Sequence, residues 1–195
     1  MQLYSSPATP FGRKATIVAQ EHGIALDIVN VNPFESEELA QLNPIKLIPV
    51  LVMDDGTVLY DSHVICSYFD EFGEGPSLYP DDDRWGWQRR TTLGTALTES
   101  SVLWLFQKRQ PADQQSDNLK THYVKRVERI TAALEAEVDA LAAAPFRIDH
   151  IAVICGIGHL EFRHDASWRA DCPRLTAWYE DIQSRPSVAA TQPRD

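Results

Sequence analysis

Asp61-Ser62 stands directly before an apolar-periodic run, Val64, Ile65, Tyr68, Phe69 and Phe72. The pair predicts the end of a strand and the start of a helix, with Ser62 as its N-cap. A first helical turn leaves N–H groups without intrahelical partners, and a serine hydroxyl beside them completes a site for a carboxylate or phosphate. The plain alternative is a cap facing solvent. A second stretch, Lys46-Leu47-Ile48-Pro49-Val50-Leu51, opens an apolar strand with a proline. The missing N–H is tolerated at a strand start or edge, and an X-Pro bond in such a place can be cis. A third, Thr9-Pro10, reads as the N-cap and first residue of a helix, with further hydroxyls nearby at Tyr4, Ser5 and Ser6.

The elements that must position these residues alternate. Gln2-Leu3-Tyr4 is a strand candidate, and Ser5 to Pro10 is a loop rich in turn formers. A helix follows through Arg13, Lys14, Ile17 and Val18 to His22-Gly23, where the glycine stops it. Ala25 to Val31 alternates as a strand does, and Pro33 to Leu42 predicts a short helix closed by Asn43-Pro44. The apolar runs on either side of Asp55-Gly56 predict a β-hairpin, the pair supplying the positive φ angles of its turn. The helix from Ser62 to Phe72 completes the order β-α-β-α-β-β-α, a small α/β sheet.

Gly73 to Asp83 is turn-rich and predicts a domain boundary. Beyond it nearly everything reads as helix. Trp85 to Gln110 is one long segment ended by Pro111. Leu119, Tyr123, Val127, Ile130, Leu134, Val138 and Leu141 step by threes and fours, which predicts a second long helix with one apolar stripe. Ile148 to Phe162 is apolar nearly all round and should be the buried centre of this half. Cys172 to Ser184 predicts the last helix, stopped at Arg185-Pro186-Ser187. The expected domains are residues 1–76 and 84–195, joined by a linker at 77–83.

Composition bounds what such a chain does. Its 195 residues, 44% hydrophobic and 24% charged, form an ordinary globular composition with enough length for one large core or two small ones. A net charge of −10 argues against a nucleic-acid partner. No apolar run approaches the ~18 residues of a membrane span, and no secretory signal opens the chain. Cys66, Cys155 and Cys172 form no CxxC pair, so buried small side chains in a reducing compartment are expected. These features together predict a cytoplasmic protein without a membrane partner.

Three motifs in register carry a resemblance. Thr9-Pro10-Phe11-Gly12-Arg13-Lys14 resembles the first-helix motif of the glutathione transferase family, in which Ser, Cys or Thr precedes Pro and an aromatic residue. Asn43-Pro44-Ile45-Lys46-Leu47-Ile48-Pro49-Val50-Leu51 resembles its NPxGKVPxL motif, and Tyr60-Asp61-Ser62-His63-Val64-Ile65 resembles its ES-x-x-I motif with Asp for Glu. Gly158 to Arg163, Pro173 to Tyr179 and Arg185-Pro186-Ser187 look like the end of a small bacterial member, so the likeness covers almost the whole chain. It implies a thioredoxin-like α/β domain followed by an all-α domain, in a homodimer. The implied activity is attack of glutathione thiolate on a small apolar electrophile. The alternatives are a non-catalytic binding protein on the same fold, or a glutathione-dependent isomerase or dehalogenase.

The resemblance also assigns residues. Asp61 and Ser62 would hold the γ-glutamyl end, and Ile48 before a cis Pro49 would pair its backbone with the cysteinyl segment. Thr9 would activate the thiol, with Ser5, Ser6 and Tyr4 as competitors; the plain alternative for Thr9 is a cap on its own helix. Phe11 would touch both glutathione and the second substrate, joined there by Glu99 and Leu103, although packing and surface roles explain these three equally well. Two departures stand out. The usual Gly-Lys before Val-Pro is Lys46-Leu47 here, so Lys46 must reach the glycyl carboxylate or that end is held weakly. The Ser/Thr-x-x-Asp box expected at the central helix is Arg147-Ile148-Asp149-His150, so another group must replace the N-cap hydroxyl.

Overall fold

The computed structural model describes residues 1–195, which form two compact units, Met1–Tyr79 with Ala190–Asp195, and Pro80–Ala189. In the first, β1 (Gln2–Ser5) leads into α1 (Pro10–Glu21), β2 (Asp27–Asn30) and α2 (Glu37–Leu42). The hairpin of β3 (Val50–Val52) and β4 (Val58–Leu59) follows, and then α3 (Ser62–Phe72). The sheet has the order β2-β1-β3-β4, with β1 parallel to β2 and antiparallel to β3. Leu3, Leu51, Ile17, Ile65 and Phe69 are fully buried in this unit. The residues 190–195 stay with it: Arg13 Nε donates to Thr191 Oγ1 at 3.4 Å, and the Arg194 N–H donates to the Pro7 carbonyl.

Several boundaries depart from the sequence expectation for local reasons. α2 starts at Glu37 and not near Pro33, because the Ser36 hydroxyl accepts from the Leu39 N–H at 3.1 Å and makes Ser36 the N-cap. In the hairpin only Gly56 has a positive φ, +85°; Asp55 contributes its side chain instead, accepting from the Thr57 N–H at 2.8 Å. The N-cap of α3 is Asp61 and not Ser62, since the Asp61 carboxylate accepts from the His63 N–H at 2.9 Å. Ser62 is therefore the first helical residue.

The second unit comprises α4 (Arg84–Arg109), α5 (Asp117–Ala136), α6 (Val138–Ala143), α7 (Ile148–Arg163), α8 (Pro173–Ile182) and α9 (Pro186–Ala189). α7 is buried along nearly its whole length, as its all-round apolar sequence predicts. It crosses α4 at two glycines, where a Cβ on Gly94 would lie 2.5 Å from the Val153 nitrogen and one on Gly156 would lie 2.9 Å from the Gly94 carbonyl. Only glycines let the two backbones come that close. All three cysteines are buried, and none forms a disulfide.

Two expectations fail here. The long helix predicted through Leu141 breaks at Glu137, whose N–H turns back to the Leu134 carbonyl and whose carboxylate is drawn out to Arg89 (2.8 Å) and Arg90 (3.5 Å). Val138 and Leu141 keep their places in the apolar stripe, on α6 instead. Pro186 does not end the helical part of the chain: it opens α9, a position its fixed φ and absent N–H suit.

Candidate functional site

Strand register gathers the sequence motifs at one end of the sheet. Tyr4 pairs with Val50, so the exit of β1 toward Ser5 and Thr9 lies beside the entry to β3 at Ile48-Pro49. Leu51 pairs with Leu59, so β4 runs out toward Tyr60 and Asp61 at that same end. α1 and α3 both begin there, with the positive ends of their peptide dipoles facing it. The Ile48–Pro49 bond is cis, as is the Tyr60–Asp61 bond. Ile48 precedes the paired part of β3, so its backbone lies outside the ladder.

The side chains divide by whether their polar atoms are already used. Ser62 as a residue is 6% exposed, and the capping bond of α3 is made by Asp61 rather than by its hydroxyl. Asp61 is exposed and spends one carboxylate oxygen on the His63 N–H. Thr9 is the N-cap of α1 by position, yet its hydroxyl caps nothing. Pro10 has no N–H, and the N–H groups of Phe11 and Gly12 are left without a side-chain acceptor. Ser5 is buried at the end of β1, with its carbonyl accepting from Val31, and Ser6 accepts from the Thr9 N–H through its carbonyl. Tyr4 is already engaged: its phenol donates to Glu38 at 2.7 Å, and that bond, burial and the Glu38 charge raise its pKa. A phenol held so cannot easily serve a thiol.

Lys46 sits in the left-handed region, φ +54°, in a turn fixed by Asn43. Its ammonium pairs with Glu37 at 3.2 Å. Phe11 is half-buried in the first turn of α1. Glu99 and Leu103 belong to the second unit, one turn apart on α4, where Glu99 lies 3.8 Å from Arg126. Gly12 is not singled out by any of the motif arguments. A glycine inside a helix, where alanine is the better former, is the signal that points to it.

Comparisons with known proteins identify the family. Residues 3–77 match the family model described as the N-terminal domain of glutathione S-transferase. The "uncharacterized GST-like protein YibF" of Escherichia coli K12 is 30% identical over 99% of this chain and 98% of its own. The chain belongs to the glutathione S-transferase family. A glutathione transferase family member of Pseudomonas fluorescens Pf-5, solved with bound glutathione, has 36% identity and a TM-score of 0.92, covering 100% of this chain and 99% of its own. A glutathione S-transferase of Methylobacillus flagellatus KT, also with glutathione bound, has 30% identity and the same TM-score over 99% of each chain. The glutathione S-transferase fold, a thioredoxin-like domain followed by an all-α one, thus holds for both units. No helix in the protein is long and apolar enough to cross a membrane.

Proposed function

We propose that this glutathione S-transferase-family protein binds glutathione at the sheet end formed by β1, β3 and β4, and that it joins the tripeptide through its thiolate sulfur to a small apolar electrophile. The observation that carries the reading is Ser62. Ser62 stands on the first turn of α3 while the capping bond is made by Asp61, so its hydroxyl is left for a ligand beside N–H groups that lack intrahelical partners, an arrangement suited to an anion. The γ-glutamyl carboxylate suits that place, and the oxygen of Asp61 not spent on His63 suits the ammonium. Ile48, outside the ladder at its cis proline, offers backbone to the cysteinyl residue as a strand would.

Thr9 then activates the sulfur. A thiol of ordinary pKa, about 8.5, is mostly protonated near neutrality. A hydroxyl donating to the sulfur, beside the positive end of α1, favours the thiolate. The thiol proton leaves to solvent, the sulfur forms the new bond to the electrophilic carbon, and the displaced group departs with its electron pair. The protein contributes positioning and charge stabilisation, with no covalent intermediate. We place the protein in the cytoplasm as a homodimer on the strength of the family resemblance. The second reading is a binding module without catalysis; the Lys46–Glu37 pair favours it, because the cation expected for the glycyl carboxylate is engaged within the chain.

Titration calorimetry with glutathione separates the two. Saturable binding at millimolar ligand or below is expected, weakened roughly tenfold by Ser62→Ala; absence of heat in that range refutes the glutathione reading. Conjugation assayed on a panel of aryl halides should then lose roughly tenfold to a hundredfold in kcat with Thr9→Ala. An unchanged rate would return the role to Ser5 or Ser6.

A further inference from the structure

An alanine at position 12 would make a better helix than the glycine found there, by about 1 kcal/mol. The surroundings explain the choice. A Cβ on Gly12 would stand 2.7 Å from the Thr9 methyl carbon and 3.2 Å from the Ser5 Cβ, and it would collide with the Ser5 hydroxyl outright. The notch left by the missing side chain is therefore filled by two neighbours. One is the hydroxymethyl of Ser5, at the end of β1; the other is the methyl of Thr9.

The seated methyl fixes which way the hydroxyl of Thr9 points. An N-cap threonine ordinarily turns its oxygen onto the N–H of the second or third helical residue, here Phe11 or Gly12. In this protein the methyl lies on that side, and the capping bond is absent. Methyl and hydroxyl stand on the same tetrahedral carbon, so holding one inward holds the other away from the helix.

We propose that Gly12 is a positioning residue for the thiol chemistry. Its notch, shared with Ser5, seats the Thr9 methyl and so withholds the Thr9 hydroxyl from its own helix and keeps it free for sulfur. The inference rests on Thr9 as the thiol activator, as proposed above. Gly12 touches no reacting atom itself.

The test reads the pKa of bound glutathione from the ultraviolet absorbance of its thiolate across pH, alongside kcat and the KM for glutathione. Gly12→Ala forces the Thr9 methyl out of its seat. It should raise the thiol pKa and lower kcat roughly tenfold at neutral pH, with KM for glutathione kept within about twofold. Thr9→Ser, which has a hydroxyl but no methyl to seat, should shift the pKa in the same direction without any added bulk. In a Ser5→Ala/Thr9→Ser background, adding Gly12→Ala should have little further effect, because the two groups the new Cβ would displace are gone and only the Cβ of residue 5, at 3.2 Å, remains near it. The proposal is overturned if Gly12→Ala leaves the thiol pKa and kcat unchanged, or if it costs as much in that background as in the native chain. If Thr9→Ala leaves the thiol pKa unchanged, the activator reading falls and takes this one with it. If Thr9→Ala shifts the pKa and neither Gly12→Ala nor Thr9→Ser does, only the notch falls.

Discussion

Lys46 holds a backbone conformation that favours glycine, and the family motif has glycine at its place. Left-handed φ costs a side-chain-bearing residue roughly 1 kcal/mol or more, because Cβ crowds the following carbonyl. The side chain gains little in return from Glu37, whose carboxylate is largely exposed. The proposed contact with the glycyl carboxylate would give the side chain a use that offsets this cost. Lys46→Gly should therefore raise stability by roughly 1 kcal/mol in denaturant titration while weakening glutathione about threefold by calorimetry. Higher stability with unchanged affinity would show that the glycyl carboxylate is held elsewhere. At this scale the residue types were legible from the motifs, but their use was not. Tyr4, Ser5, Ser6 and Thr9 are all hydroxyls in one short stretch. What removes Tyr4 is Glu38, 34 residues away in sequence, and no local rule connects them.

The start of α7 shows how an element survives the loss of its usual cap. Arg147 occupies the N-cap position, and its side chain makes no capping bond. Asp149, fully buried at the second position of the helix, takes over: it accepts from its neighbour's N–H at His150 (3.0 Å), from Arg90 Nε (2.8 Å) and from Arg147 Nε (3.2 Å). Arg90 in turn reaches Asp83 at 2.7 Å, tying the first turn of α4 to the first turn of α7. Burial opposes the charge on Asp149, but hydrogen bonds from His150 and Arg90 and the charges of His150 and Arg147 outweigh it, so its carboxyl stays below the usual carboxylate range. A negative charge at a helix start also suits the dipole. Asp149→Asn should destabilise the protein by roughly 3 kcal/mol in chemical unfolding, because two buried guanidinium groups lose the one fully buried carboxylate they share. A cost under about 1 kcal/mol would mean that Asp83 and Glu137 suffice. The sequence announced the missing box; the partner that replaces it lies 59 residues away on α4.

The whole molecule's response to pH follows from groups kept neutral inside the fold. His159 lies on α7 with Nδ1 2.8 Å from the Ser101 hydroxyl. Burial, aided by the charges of His164, Arg163 and Arg109, pushes its pKa down to about 3. His164, stacked on Trp104, is lowered as well, chiefly by burial. A histidine depressed in the fold binds its proton more readily in the unfolded chain, so stability declines as pH falls. For His159 the window runs from the ordinary value near 6.5 down to about 3. Stability should drop by about 2 kcal/mol between pH 7 and pH 5, a slope of about 1.4 kcal/mol per unit once below the ordinary pKa. His159→Gln, followed by urea unfolding at both pH values, should flatten most of that slope. A slope equal to that of the native chain would place the acid sensitivity elsewhere.

The sequence by itself determined the order of elements, the hairpin, the buried character of α7 and the three motifs that mark the family. Each depends on periodicity, turn chemistry and capping preferences that act over a few residues. Tertiary structure alone decided what those residues are free to do. Register brought Thr9, Pro49 and Ser62 to one end of the sheet, a neighbouring notch chose the side of Thr9 that faces its helix, and distant charges took over the start of α7. The reason is physical. A backbone conformation answers to its nearest neighbours, whereas the availability of a polar atom depends on every group the fold brings within hydrogen-bond reach of it.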